Sequence, residues 1–155
     1  MIQRIQSLSL LLAMGAIIAL IFLPIAQFMD FSNNIYTLGF YGVVKDPNTS
    51  VPSVWMTSVY PILCMIVVLL ILVTIFLYKN RPLQIKMCFY ALLAIVIFAV
   101  FNYWMITTVR KNEMWRMGAS TIYSFLPYAA GVFVYLSRRA IQKDEELVKS
   151  ADRIR

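Results

Sequence analysis

Residues 58–108 read SVYPILCMIVVLLILVTIFLYKNRPLQIKMCFYALLAIVIFAVFNYWMITT, and they decide the fold. Two uncharged runs, 60–78 and 87–109, flank the connector Lys79-Asn-Arg-Pro-Leu-Gln-Ile-Lys86. Each run suffices to cross the roughly 30 Å hydrocarbon layer as a helix, which takes about 20 residues. Pro82 and its polar neighbours end the first helix, and so short a link obliges the second to return antiparallel. The connector carries three positive charges and no negative one.

The whole chain agrees with this hairpin. Its 155 residues are enough for one domain, and 61% are hydrophobic against 14% charged. A soluble fold of this size could not cover so much apolar surface. The formal net charge of +7 lies at the ends of the apolar runs and forms no recognition face. Charge sorting across a membrane accounts for it better than nucleic-acid binding. Cys64 and Cys88 fall at opposite ends of the hairpin, too far apart for a disulfide. With no histidine in the chain as partner base, they read as buried apolar thiols rather than nucleophiles.

Upstream, residues 5–29 carry no charge. The run exceeds a signal-peptide core and lacks a small-residue cleavage site, so we expect a retained helix over 8–28, bent by Pro24. Small residues at Ala13, Gly15, Ala16 and Ala19 would let another helix approach it closely. The loop 29–57 mixes turn formers with Ile35-Tyr-Thr-Leu-Gly-Phe-Tyr-Gly-Val-Val44, which suggests one strand or a small hairpin. A fourth span follows over 119–138, and a charged tail occupies 139–155. In that tail Ile141, Leu147, Val148, Ala151 and Ile154 recur at helical spacing, as in a helix prolonged past the membrane.

Orientation follows from Lys and Arg. With both termini inside, ten lie on the inner side and four on the outer, the bias expected of cytoplasmic loops. Trp55, Trp104 and Trp115 then gather at the outer boundary, where indole rings favour the interface. On the inner side Lys79, Arg81, Lys86, Arg138 and Arg139 are candidate contacts for lipid headgroups.

No Asp, Glu, Lys, Arg or His lies within the cores of the four expected spans; the first charge of the fourth is its last residue, Arg138. Proton relays, coupled transporters and intramembrane metal sites usually rely on such groups. This argues against an enzyme and implies no cofactor, metal or catalytic residue. Asp30, Asp46 and Glu113 in the outer loops are joined by no motif. The polar side chains that do enter the spans fall at one depth: Gln27, Tyr60, Asn102, Tyr123, Ser124 and Tyr128. They could line an outward pocket for a lipid headgroup or small solute, or simply bond one helix to another at about 0.6 kcal/mol each.

Both ends of the chain, Met1-Ile-Gln-Arg-Ile-Gln-Ser-Leu-Ser-Leu-Leu-Leu-Ala13 and Lys143-Asp-Glu-Glu-Leu-Val-Lys-Ser-Ala-Asp-Arg-Ile-Arg155, resemble the domain of unknown function 4293 family of the Bacteroidota. The resemblance runs over essentially the whole chain. It implies a four-helix inner-membrane protein of a Gram-negative bacterium and supplies no activity or site residues.

The expected architecture is therefore an all-α integral membrane protein, an antiparallel four-helix bundle with spans near 8–28, 58–78, 87–108 and 119–138. Both termini are inside, and a small outer loop caps the bundle. The leading expectation for function is a non-catalytic accessory or scaffold subunit of an envelope complex. Its partners would be membrane lipids and either a membrane protein or a second copy of itself. The alternative is a lipid or small-solute binding or transport protein that uses the outer polar cluster.

Overall fold

The structure, a computed structural model, describes residues 2–29, 31, 35–45, 49–51, 54–112 and 117–153. Four helices, α1 (Ile2–Ala19), α2 (Val54–Phe76), α3 (Arg81–Asn112) and α4 (Leu126–Arg153), form an antiparallel bundle. Around the bundle α1 neighbours α2 and α4, while α3 neighbours the same two, so α1 and α3 lie across a diagonal. The 23 residues of α2 and the 32 of α3 correspond to about 35 and 48 Å of helix. These two are long and apolar enough to cross a membrane.

One spacing organises the interior. The inward residues of α3 are Gln84, Cys88, Ala91, Ile95, Phe98, Asn102, Met105 and Val109, at alternating steps of four and three. The same alternation places Gln6, Leu10, Ala13 and Ile17 on α1, with Leu20 just past its end, and Tyr60, Cys64, Val67, Ile71 and Thr74 on α2. On α4 it places Pro127, Ala130, Val134, Ser137 and Ile141. A seam repeating every 3.5 residues keeps facing its neighbours only if helices wrap gently around one another, as in left-handed bundles. Ala13, Ala91 and Ala130 sit in these seams and thin the middle of the bundle. Gly15, by contrast, faces outward with nothing within 4 Å of a Cβ added there.

The first helix departs from the span expected over 8–28. Helix α1 ends at Ala19, where Leu20, Ile21 and Phe22 donate to the carbonyls three residues back and tighten the last turn. Pro24 disfavours helix for the residue before it, and the chain leaves as strand β1 (Ala26–Met29). The expected hairpin is present as β2 (Ile35–Gly39) and β3 (Gly42–Lys45), but it belongs to a larger sheet. With β4 (Thr49–Val51) and β5 (Met117–Ser120) it forms five antiparallel strands in the order β4-β3-β2-β1-β5. The fourth helix thus begins later than the span expected there. Residues 117–120 pair with β1, a 3₁₀ turn covers Ile122–Phe125, and Pro127 lies in the first turn of α4, where its missing N–H costs nothing. Beyond residue 138 the tail continues α4 without a break, as its spacing suggested.

The sheet sits at the end of the bundle away from the 77–80 connector, and it is fastened there. Ile25 donates to Leu38 at 2.7 Å, and Thr121 N–H to Ile25 at 3.1 Å. The Thr121 hydroxyl is shared between the Pro24 and Ile25 carbonyls. At the β2–β3 turn, Phe40 packs edge-on to Tyr60 of α2, with ring centroids 5.5 Å apart. Gly42 closes that turn at φ 128°, a conformation that side chains resist. Substituting Gly42→Val is expected to cost about 1–3 kcal/mol and to speed amide exchange in β2 and β3 while α2 and α3 stay protected. Unchanged exchange there would show that the turn tolerates a side chain.

Candidate functional site

The buried polar side chains fall into two belts within the seams. At the sheet end, Asn102 on α3 (1% exposed) donates its Nδ2 to the Ser124 carbonyl at 3.3 Å. The Ser124 hydroxyl donates in turn to Thr121 at 2.7 Å. Tyr60 on α2 is 0% exposed and lies against Phe98 and Phe101, ring centroids 5.0 and 6.4 Å away, on the same turns of α3 that carry Asn102. The Tyr60 hydroxyl and Asn102 Oδ1 are buried with no hydrogen-bond partner. One is a donor and the other an acceptor, so their needs are complementary.

Of the six residues expected to share a depth, this belt holds Tyr60, Asn102 and Ser124. Gln27 belongs instead to strand β1, paired with Thr37 on one side and Ala119 on the other, and is exposed. This corrects its placement on a helix: the chain has already turned at Pro24. Tyr123 and Tyr128 point outward, Tyr128 at 50% exposure with its ring 6.1 Å from that of Phe125. Along with Phe22, Tyr103 and Trp104 they give the sheet end an exposed aromatic rim. The three cluster members that stay together are sealed inside, not open to the outside.

The second belt, at the connector end, was not singled out from the sequence. Gln6 of α1 donates to Asp144 of α4 at 3.3 Å, and Ser9 and Ser137 share a short hydroxyl–hydroxyl bond across the same pair of helices. Ser137 also donates to Phe133, one turn back, at 2.9 Å. Between α2 and α3, Gln84 donates to the Thr74 carbonyl at 3.2 Å, while Thr74 bonds Leu70 at 2.7 Å. The seam spacing marks Gln6, Thr74, Gln84 and Ser137 as inward, which composition and depth alone do not.

Among the inner cations, the Arg138 guanidinium lies 5.2 Å from the centroid of the Phe89 ring. Its Nε is buried without a partner. Lys86 and Arg139 are exposed, and Arg81 is half-buried. The side chains of Lys79 and Trp55 lie outside the described residues, as do Asp30, Asp46, Glu113 and Trp115. Among the described residues no three metal-ligating groups come together. Cys64 and Cys88 are free and buried in separate helices.

The family model described as Domain of unknown function (DUF4293) matches residues 2–154. The chain belongs to this family. A search of curated proteins returned no match. The match covers the residues of all four helices and of the sheet strands between them.

The sheet-end belt makes a direct prediction. Removing an unpartnered hydroxyl from an apolar interior costs nothing in bonding, so Tyr60→Phe should leave thermal stability in mild detergent unchanged or raised. Asn102→Leu gives up one bond but also an unpartnered acceptor and should fall within about 1 kcal/mol of the parent. Asn102→Asp, which buries a charge, should be far worse. A loss above about 1 kcal/mol in Tyr60→Phe would mean that something bridges the hydroxyl.

Proposed function

We propose that the chain is a four-span integral protein of the bacterial inner membrane, with both termini cytoplasmic. In this reading it serves as a non-catalytic accessory or scaffold subunit of a larger envelope complex. One observation carries the membrane reading: the bundle is apolar on its outside. Only 28% of the apolar window Val59–Phe76 and 33% of the window Arg81–Lys111 are buried. The perimeter shows Met65, Leu69, Leu93, Val96, Val100 and Phe125. Water-soluble monomers rarely expose continuous apolar surface on this scale, whereas a bilayer requires it. The hydrogen-bonding side chains turn inward, which also suits lipid surroundings.

The depth of the sheet follows. Helix α1 has 18 residues, about 27 Å, and α4 meets its first charge at Arg138. Helices this short bring the base of the sheet to the outer headgroup level, where the exposed rim of Phe22, Tyr103, Trp104 and Tyr128 belongs. The scaffold half of the reading rests on what the interior offers for chemistry: amides and hydroxyls spent on holding helices together. The sheet is then an ordered platform on the outer face, and the last turns of α4 are a second platform inside. The alternative, a lipid or solute site at the polar cluster, is favoured by the unpartnered Tyr60 hydroxyl and Asn102 Oδ1.

Orientation can be tested with a maleimide that does not cross membranes. Tyr41→Cys, at the exposed β2–β3 turn, should label on intact cells whose outer membrane is permeabilised, and Ser150→Cys only after lysis. The opposite pattern would invert the topology. For the subunit role, native-level tagging and gentle extraction should recover a partner in stoichiometric amount, lost when 30–54 or 140–155 is replaced. Specific transport or turnover by the purified chain alone, abolished by point mutation, would overturn it.

A further inference from the structure

The seam between α3 and α4 opens at the connector end into a cleft of about 340 Å³ lined by Ile85, Gln142, Glu145 and Glu146. One turn further into the bundle, the same seam carries the Arg138 guanidinium against Phe89. Helical spacing aligns the two features: Ile85 and Phe89 are four residues apart on α3, as are Arg138 and Gln142 on α4. Along one side of the seam the order is thus an aromatic ring, a cation, an amide and two carboxylates.

We propose that this cleft holds the headgroup of an amine-bearing phospholipid, with the phosphate at Arg138 and the ammonium at Glu145 and Glu146. The assignment rests on the membrane reading given above and deepens it. Exposed Tyr135 and Leu136 on α4 and Tyr90 and Leu93 on α3 mark the apolar perimeter just inside Arg138, so the guanidinium sits where that perimeter ends. There a lipid's acyl chains lie beside Tyr90 and Leu93 and its phosphate lies level with Arg138. Among the described residues no carboxylate pairs with Arg138, and its contact with Phe89 is a stacking one that leaves guanidinium donors for a phosphate. Beyond the phosphate, toward water, an ethanolamine headgroup carries a compact ammonium with three N–H donors. The carboxylates of Glu145 and Glu146 accept such donors, and Gln142 lies between the two charges. An anionic headgroup without an amine would place its terminal group against two carboxylates, and a trimethylated amine would present no donor. The cleft therefore discriminates by amine chemistry and not by net charge alone.

The test uses the full chain reconstituted into vesicles of phosphatidylglycerol mixed equally with either phosphatidylethanolamine or phosphatidylcholine. Vesicle flotation is measured first, and lipid retained after detergent stripping is then counted by native mass spectrometry. Phosphatidylethanolamine should be retained about fivefold over both phosphatidylcholine and phosphatidylglycerol. Arg138→Gln should reduce retention of every lipid, and Arg138→Lys should restore part of it through a point charge. The cleft-lining pair Glu145→Gln with Glu146→Gln should keep lipid bound but erase the preference for the ethanolamine headgroup. Equal retention of the ethanolamine and choline lipids by the parent, preference for phosphatidylglycerol, retention unchanged by Arg138→Gln, or a preference that survives the double glutamine substitution would each overturn the proposal while leaving the membrane reading intact. Failure to float with any vesicle would overturn both.

Discussion

A bundle whose perimeter is mostly apolar and aromatic keeps its amides and most of its small hydroxyls turned inward. The rest of the structure follows from this constraint. The seams of all four helices repeat at steps of three and four, and the polar members occupy those steps at the two ends of the bundle. Gln6 with Asp144, Ser9 with Ser137 and Gln84 with Thr74 form one belt; Asn102 with Ser124 forms part of the other. Leu10, Ala13, Val67, Ala91, Ile95 and Val134 fill the space between. Apolar packing alone would let one helix slide by a heptad against the next at small cost. Polar pairs at fixed heights penalise the slip, because each would leave a group unpartnered in an apolar interior.

The sheet is the counterpart of this arrangement at one end. Strand β1 grows directly out of α1, and β5 lies between α3 and α4, so their pairing couples the start of the chain to its last helix. The Thr121 hydroxyl, shared between two successive carbonyls, holds that junction, and Ser124 and Asn102 carry hydrogen bonding from it into the bundle. At the β2–β3 turn, Phe40 against Tyr60 adds an aromatic contact to α2. Sheet and bundle are therefore one packed unit.

Much of this was legible in residues 58–108, because charge and proline leave a hairpin little choice. The tail was legible too, since a stripe stands out against charged neighbours. The end of α1 was not. Residues 20–29 are apolar, β-branched and aromatic, a composition equally at home in a buried helix and in a covered strand. What separates them is partners, and one partner of β1 is Met117–Ser120, which has little strand propensity of its own and lies some ninety residues away. Gln27 was misplaced for the same reason. The seams themselves were hidden by their background: when the perimeter is as apolar as the core, the 3.5-residue repeat leaves no hydropathy contrast. Only the sparse polar residues and small alanines betray it, and Asn102 was recognisable because an amide is conspicuous in such a run. Arg138 differs from Arg139 and Lys86 only through Phe89, a neighbour from another helix that linear order cannot supply.

The position of β5 in the chain has a consequence for biogenesis. A ribosome delivers β1 through β4, then α2 and α3, before it delivers the strand that covers the free edge of β1. For that interval a nascent chain carries an open, apolar strand edge, a template for mispairing and a mark that a protease or chaperone can read. Only once residues 117–120 emerge is that edge of β1 covered, the sheet then ending in the four-residue β5. The sheet thus reports on completion: a chain arrested or cut within α3 retains the signal of an unfinished protein, and one synthesised to α4 loses it.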